Sequence, residues 1–215
     1  MIDLFRFTRA APRPAHAAGA RAAASRLGRA RLGAASLMLG LAFAGRVDAQ
    51  PTDSAEVQLE AAFLVNFVRF TQWPPPRFPS PDSPYVLTVL GDSEVVDAVR
   101  EVANAAGEIQ GRRIRVQQVT SLRQADATEV LRRSHVVFVH GSTSITPQQL
   151  LPRIDGASVL TVGAGHDFTR HGGMLGLSRS GRRMGFTANV AAIQASGLSV
   201  SAKVLKLATP QGRRQ

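Results

Sequence analysis

The distribution of apolar residues predicts that the chain contains an early helix that is buried on more than one side. A helix is predicted over residues 54–72, the apolar positions of residues 61–73 fall all round the helical wheel at about 100° per residue, and Pro74 then prevents the helix from continuing. Such a helix is either a central core helix, or it packs on its own domain with one side and on a partner with the other. For the second interpretation, the candidate dimer or partner residues are Leu64, Val68 and Trp73.

Four short apolar runs follow the proline-rich connector of residues 74–84, and their length and β-branched content are typical of strands. The predicted strands cover residues 85–90, 114–119, 135–140 and 158–162. Helices are predicted between them, at residues 94–106, at residues 121–133 and from residue 147 onward, the last two opening with capping-box sequences. This alternation predicts a mostly parallel sheet covered by helices on both faces.

The pattern changes after residue 163. Two alternating segments flank a turn at residues 179–182 and predict an antiparallel hairpin. A helix is predicted from Val190 to about Ser196, and residues 198–208 form a last apolar element that we expect to be helical. The predicted fold class is α/β, with a mostly parallel sheet of about five to six strands flanked by helices. A C-terminal β-hairpin and helices complete this Rossmann-like three-layer sandwich.

The first 49 residues have the composition of a secretory signal peptide. An arginine-rich leader precedes an apolar run at residues 32–44, and short residues follow at 47–49. The apolar run is too short to cross a bilayer, which takes about 20 residues, although an uncleaved anchor is the alternative. We therefore predict export to the periplasm. The predicted organisation is a signal peptide at 1–49, a linker at 50–53, one α/β domain at 54–209 and a polar tail at 210–215.

The charge and the cysteine content argue against several classes of function for this chain. The chain carries a formal net charge of +11, but eight Arg and two Asp of the leader supply +6 of it. The remaining +5 comes from eighteen basic and thirteen acidic residues that are scattered, so a nucleic-acid partner is not expected. The chain has no cysteine, which excludes disulfides, thiol catalysis and cysteine–metal sites.

The glycine-rich segment at residues 163–168 resembles the start of a dinucleotide-binding fingerprint. Phe168 stands where the third Gly belongs, and the segment follows the fourth predicted strand instead of the first. His166, Asp167 and His171 lie close together, but they lack the helical spacing of a zinc motif, and structural loop residues are favoured. We therefore expect no cofactor and no metal.

The loops at the carboxyl ends of the strands are the candidate binding region, because parallel α/β sheets bind ligands there. We find no evident nucleophile–base pair and no paired carboxylates, so a binding pocket is favoured over an active site and no enzyme is expected. The candidate ligand or partner residues in these loops are Asp92, Ser93, Ser142, Thr143, His166, Arg170 and His171.

Three groups of motifs resemble those of the YfiR family of periplasmic regulatory proteins, in the same order along the chain. They are Ala62-Phe63-Leu64-Val65-Asn66-Phe67 with Phe70 and Trp73-Pro74; Leu160-Thr161-Val162-Gly163 with Phe168 and Gly172-Gly173-Met174; and Phe186-Thr187-Ala188-Asn189 with Gly197-Leu198 and residues 203–208. Asn66 and Asn189 match family motif positions, where structural hydrogen bonding is the alternative role. The chain departs from its relatives in lacking cysteine pairs and in carrying Thr187 where an acidic residue is frequent.

The resemblance implies a soluble, dimeric α/β domain that is not an enzyme. Relatives bind the periplasmic part of a membrane diguanylate cyclase and hold down cyclic-di-GMP synthesis and thus biofilm formation. An outer-membrane lipoprotein sequesters such a repressor and releases the cyclase. A periplasmic small-ligand sensor that uses the strand-edge loops and feeds a membrane signalling partner is the alternative function.

Overall fold

The structure, a computed structural model, describes residues 52–180 and 183–210. The described residues fall within one compact unit. The predicted signal peptide at residues 1–49 lies outside the described residues, as does most of the predicted polar tail. The first helix begins at Thr52, inside the segment that the sequence analysis assigned to a linker.

Helices and strands alternate along the chain as expected for an α/β domain. The helices are α1 (Thr52–Arg69), α2 (Ser93–Ala106), α3 (Ala127–Arg133), α4 (Pro147–Leu150), α5 (Asp167–Arg170), α6 (Val190–Ala195) and α7 (Ala202–Leu205). The strands are β1 (Thr71–Gln72), β2 (Tyr85–Leu90), β3 (Ile114–Gln118), β4 (Val136–Val139), β5 (Leu160–Ala164), β6 (Leu175–Ser180), β7 (Arg183–Ala188) and β8 (Ser199–Val200). Short 3₁₀ turns lie at Pro75–Arg77 and Leu151–Arg153.

Six strands form the central sheet, in the order β3-β2-β4-β5-β6-β7. Neighbouring strands from β3 to β6 are parallel, and β7 runs antiparallel to β6, with Leu175 opposite Ala188. This confirms the mostly parallel sheet with a C-terminal hairpin. The order reverses at β2, which has β3 on one side and β4 on the other. In open α/β sheets a crevice forms at the carboxyl ends of the strands where the order reverses.

The sheet carries an apolar core on each face, because successive side chains of a strand point to opposite sides. Val136 and Phe138 belong to the core that α1, α2, α6 and α7 cover. Val137 and Val139 belong to the other core, which α3, α4 and α5 cover. The chain is therefore the three-layer sandwich that the sequence predicts.

Helix α1 crosses the first face of the sheet and also packs against α2. Leu64 and Val68 are fully buried in the core of the chain itself, and Trp73 is 7% exposed. The assignment of these three side chains to a dimer or partner surface is therefore corrected. The sheet and α2 cover the helix on two sides, so apolar side chains all round the helix can be buried within the chain itself. Leu59 and Arg69 are among the outward residues of α1.

Trp73 anchors the end of this segment at the amino edge of the sheet. Its indole N–H donates to the carbonyl of His135 at 3.1 Å, and its ring lies 5.3 Å from that of Tyr85. The imidazole of His135 is buried, stacks on Phe78 and accepts the Val86 N–H through Nδ1 at 3.0 Å. Burial, together with the positive charge of a nearby arginine, lowers the pKa of His135 to about 4, so the ring is neutral at pH 7.

Two segments differ from their predicted secondary structure. Helix α3 begins at Ala127 and not at residue 121, because the Ser121 hydroxyl and carbonyl accept the N–H groups of Arg123 and Gln124 in a tight turn. The segment at residues 198–208 is not one helix: β8 pairs antiparallel with β1 before α7 begins. Backbone pairing with a distant strand competes with helix formation there, and sequence periodicity does not reveal that pairing.

Replacement of Leu64 by Ala is expected to lower the free energy of unfolding by about 2–5 kcal/mol, because it opens a cavity beneath α1. Chemical denaturation measures this change. Leu59→Ala on the same helix is the matched control and should change stability by about 0.5 kcal/mol or less, since Leu59 is 37% exposed. Equal, small effects of both variants would contradict the buried position of Leu64.

Candidate functional site

The loops that follow β2 and β4 meet where the strand order of the sheet reverses. The Asp92 N–H donates to the Ser142 hydroxyl at 3.3 Å. The Ser142 hydroxyl lies 2.9 Å from Nδ1 of His140, and the Ser142 N–H donates to the same nitrogen at 3.1 Å. The approach is close: a Cβ atom on Gly91 would lie 3.0 Å from that of His140. Two of the three predicted loops therefore form one site at the carboxyl edge of the sheet.

Glu60 of α1 completes this site, and the sequence analysis missed it. Its Oε2 atom lies 3.4 Å from Nε2 of His140, and the residue is only 6% exposed. We refer to Glu60, Asp92, His140 and Ser142 as the switch-point site. Glu60 precedes Leu64 by four residues, the spacing of one helix face, and this shared face was the signal in the sequence for its position. The all-round apolar pattern of residues 61–73 begins just after Glu60, so it does not by itself show how deeply this carboxyl is buried.

Burial determines the protonation states of Glu60 and His140. Desolvation, and then the negative charge of Glu56 one turn away, raise the pKa of the Glu60 carboxyl to about 7. Desolvation lowers the pKa of His140, against the opposing negative charges of Asp92 and Glu56. Because Nδ1 of His140 accepts the Ser142 N–H, the neutral ring carries its proton on Nε2, which faces Glu60. Just below pH 7 the two groups thus meet mainly as a neutral acid and a neutral imidazole, and above pH 7 the carboxyl is mainly ionised.

Ser142 contacts His140, and His140 contacts Glu60. This is the order of contacts in the serine–histidine–acid triad of hydrolases. The sequence showed no evident nucleophile–base pair, and the Ser142–His140 contact corrects that expectation. Other contacts favour a structural role: Ser142 lies two residues from His140 in the same turn, and its hydroxyl accepts the Asp92 N–H. The backbone N–H of Ser142 also uses the Nδ1 lone pair, and burial weakens His140 as a base.

The remaining predicted loop residues do not all join this site. Ser93 is the exposed first residue of α2, beside Asp92. The Thr143 hydroxyl accepts the Ile145 N–H at 3.3 Å within the loop after β4. His166, Arg170 and His171 are exposed around α5. Arg170 pairs with Asp167 and lowers its pKa, and Nδ1 of His171 lies 2.8 Å from the Asp167 carbonyl oxygen.

No metal-binding group of three or more His, Asp or Glu side chains is found within residues 52–180 and 183–210. The zinc alternative that His166, Asp167 and His171 raised therefore has no preformed site in this part of the chain. Their side-chain and backbone contacts are local to α5 and the residues beside it.

Phe168 occupies the space between two glycine backbones. A Cβ atom at Gly163 or at Gly173 would lie 2.2 Å from its ring. The ring belongs to the second core, where it packs with the side chains beneath α3 and α4. A phosphate group requires an open glycine backbone, and here an aromatic side chain covers it. The family-motif residues Gly163, Phe168 and Gly173 thus form one packing unit.

Asn189 serves as the N-cap of α6. Its side-chain oxygen accepts the Ala192 N–H at 3.1 Å, and its amide donates to the Thr169 carbonyl at 3.3 Å. Asn66 is half-buried on α1, where its carbonyl accepts the Phe70 N–H. The Thr187 hydroxyl lies 3.0 Å from that of Thr169. These contacts favour structural hydrogen bonding as the role of Asn189.

Comparison with protein families gives a match over residues 57–209 to the family described as YfiR/HmsC-like. No curated protein matches the chain significantly. A solved conserved domain protein from Vibrio cholerae shares the fold, with 12% sequence identity and a TM-score of 0.51; the alignment covers 71% of this chain and 59% of that protein. An ABC domain from Streptococcus pneumonia, solved in complex with L-Trp, is 13% identical, with a TM-score of 0.46 and coverages of 69% and 60%. The chain therefore spans less than two thirds of either protein.

Substitution Gly173→Ala is expected to lower the free energy of unfolding by about 1–3 kcal/mol, because a Cβ atom there overlaps the Phe168 ring. Thermal or urea denaturation checks this. Gly185→Ala is the matched control: its Cβ atom would meet only the Thr209 hydroxyl, at 3.8 Å, so stability should be unchanged or slightly higher. A Gly173→Ala protein as stable as the Gly185→Ala protein would contradict the packing of Phe168.

Proposed function

Because the chain belongs to the YfiR/HmsC-like family, whose members are periplasmic regulatory proteins linked to cyclic-di-GMP signalling, we propose that it represses a membrane diguanylate cyclase by protein–protein contact. Repression would lower cyclic-di-GMP and biofilm formation. The family match over residues 57–209 carries this proposal, since it spans nearly all the residues that the structure describes. The protein itself would be non-enzymatic.

Several features of the chain support a periplasmic, contact-based regulator. The predicted signal peptide would export the domain. The switch-point site has the connectivity of a triad but contacts that favour a structural turn, which supports binding over turnover. A Ser142→Ala variant would remove any hydrolysis that depends on this site, so turnover abolished by that change would argue for an enzyme.

The partner surface would lie outside the buried side of α1, since Leu64, Val68 and Trp73 belong to the core. We propose the periplasmic part of the cyclase or of a related membrane sensor as the partner. A homodimer and sequestration by an outer-membrane lipoprotein complete the proposed pathway, on the model of the family. Both would use exposed residues of the domain.

Deletion of the gene is expected to raise cellular cyclic-di-GMP and biofilm mass, because the repressor is lost. Mass spectrometry of cell extracts measures the nucleotide, and an affinity-tagged chain should co-purify with the cyclase. Expression of residues 1–215 should restore the low level, whereas a chain without residues 1–49 should not, since it would stay in the cytoplasm. Unchanged cyclic-di-GMP across biofilm-forming conditions would remove the cyclase role.

A small-ligand sensor is the second candidate, and Glu60 is the observation that favours it. Its buried Oε2 atom makes no hydrogen bond of normal geometry within the described residues, and it lies at the strand-order reversal where α/β sheets bind ligands. A compound that offers a hydrogen-bond donor to this oxygen would satisfy it. Such binding would feed the same membrane signalling partner.

A thermal-shift screen tests the sensor candidate. A ligand present at 100 times its Kd should stabilise the protein by about 2.7 kcal/mol. The Glu60→Gln variant should lose most of this stabilisation, while Glu129→Gln, an exposed carboxyl on α3, should retain it. Stabilisation that is equal in both variants would place the ligand elsewhere, and a screen without stabilising compounds would leave the contact-based regulator as the proposed function.

A further inference from the structure

The Glu60–His140 contact joins the N-terminal half of α1 to the carboxyl edge of the sheet. Helix α1 runs antiparallel to the parallel strands: Glu56 and Glu60 lie near the ends of β6 and β4, and Trp73, after the helix, lies near the start of β4. The C-terminal half is held by the large apolar side chains Phe67 and Val68. The polar pair thus marks the point where the apolar packing of α1 gives way to charged contacts.

Charged groups from each neighbouring element face this pair. Glu56 lies one turn before Glu60 on α1, and the guanidinium of Arg179, at the end of β6, donates to Glu56 at 2.5 Å. Asp92, at the start of α2, faces His140. The basic group in contact with Glu60 Oε2 is the imidazole of His140, whose Nε2 atom lies 3.4 Å away.

The protonation state of Glu60 therefore determines how favourably the N-terminal half of α1 packs against the sheet. A protonated carboxyl is neutral and can be buried beside the imidazole at little cost. An ionised carboxylate would be a buried negative charge one turn from Glu56, with a neutral ring as its partner, and such burial is costly. Movement of this half of the helix away from the sheet would let water solvate the carboxylate.

We propose that Glu60 and His140 form a pH-sensitive latch, which holds the N-terminal half of α1 against the carboxyl edge of the sheet when Glu60 is protonated and releases it when Glu60 ionises. The latch needs no partner protein and is independent of the proposed repressor role. It would make the exposure of this helix, and of the loops after β2 and β4, depend on the pH of the compartment.

The direction of the pH dependence follows from the raised pKa of Glu60. Its pKa is about 7 in the closed form and 4.5 in its ordinary, exposed state. Between these values the closed form binds more protons, so rising pH favours opening, and the effect levels off above pH 7. His140, with its lowered pKa, acts in the opposite direction at lower pH, so most of the change expected from Glu60 between pH 6 and pH 8 falls below about pH 7.

Hydrogen exchange of the exported protein, measured by mass spectrometry at pH 6, 7 and 8, tests the latch. After correction for the intrinsic pH dependence of exchange, protection of residues 54–63 should fall about tenfold from pH 6 to pH 8. Protection of α2 should stay constant. Glu60→Gln should abolish the pH dependence, and Glu129→Gln, the same change on the exposed surface of α3, should leave it intact. Equal pH dependence in both variants would overturn the proposal.

A second measurement needs no variant. The carboxyl carbon of Glu60 in the unsubstituted protein, followed by NMR, should titrate near pH 7. A midpoint near the ordinary value of 4.5 would overturn the latch even if Glu60→Gln failed to fold. Neither experiment involves cyclic-di-GMP, so failure of the latch and failure of the repressor role are distinguishable.

Discussion

Burial of α1 on two sides is the constraint on which the rest of the structure depends. A helix with apolar side chains all round it must be covered on more than one side in water. The sheet covers one side through residues such as Phe138, and α2 covers another. This arrangement places Trp73 at one edge of the sheet and Glu60 at the other, so one helix organises both the aromatic cluster and the switch-point site.

Much of the fold was predictable because it rests on local patterns. The strand runs, the hairpin and the Thr146 capping box are set by residues close together in the sequence. The pairing of β8 with β1, and the late start of α3, were not predictable in this way. The first depends on a backbone partner from the other end of the domain, and the second on hydrogen bonds within a turn at Ser121 that resembles a capping box.

The candidate site was predictable only in part. Parallel strands bring the loops after β2 and β4 to one edge, so the proximity of Asp92 and Ser142 follows from topology. Glu60 comes from a helix that no strand pattern positions, and its raised pKa comes from tertiary burial. The third predicted loop, with His166, Arg170 and His171, makes its contacts locally around α5 because Asp167 supplies the partner for Arg170. Side-chain chemistry was visible in the sequence, whereas its desolvation was not.

The pairing of β1 with β8 has a consequence for how the domain forms. The segment that follows α1 is hydrogen-bonded to a strand near the C-terminal end of the domain, with Thr71 opposite Val200. Contacts between residues so distant in the chain close large loops and slow folding. The first helix cannot gain its final neighbours until nearly the whole domain is available. For a chain that crosses a membrane in an extended state, this high contact order would delay folding until translocation is almost complete.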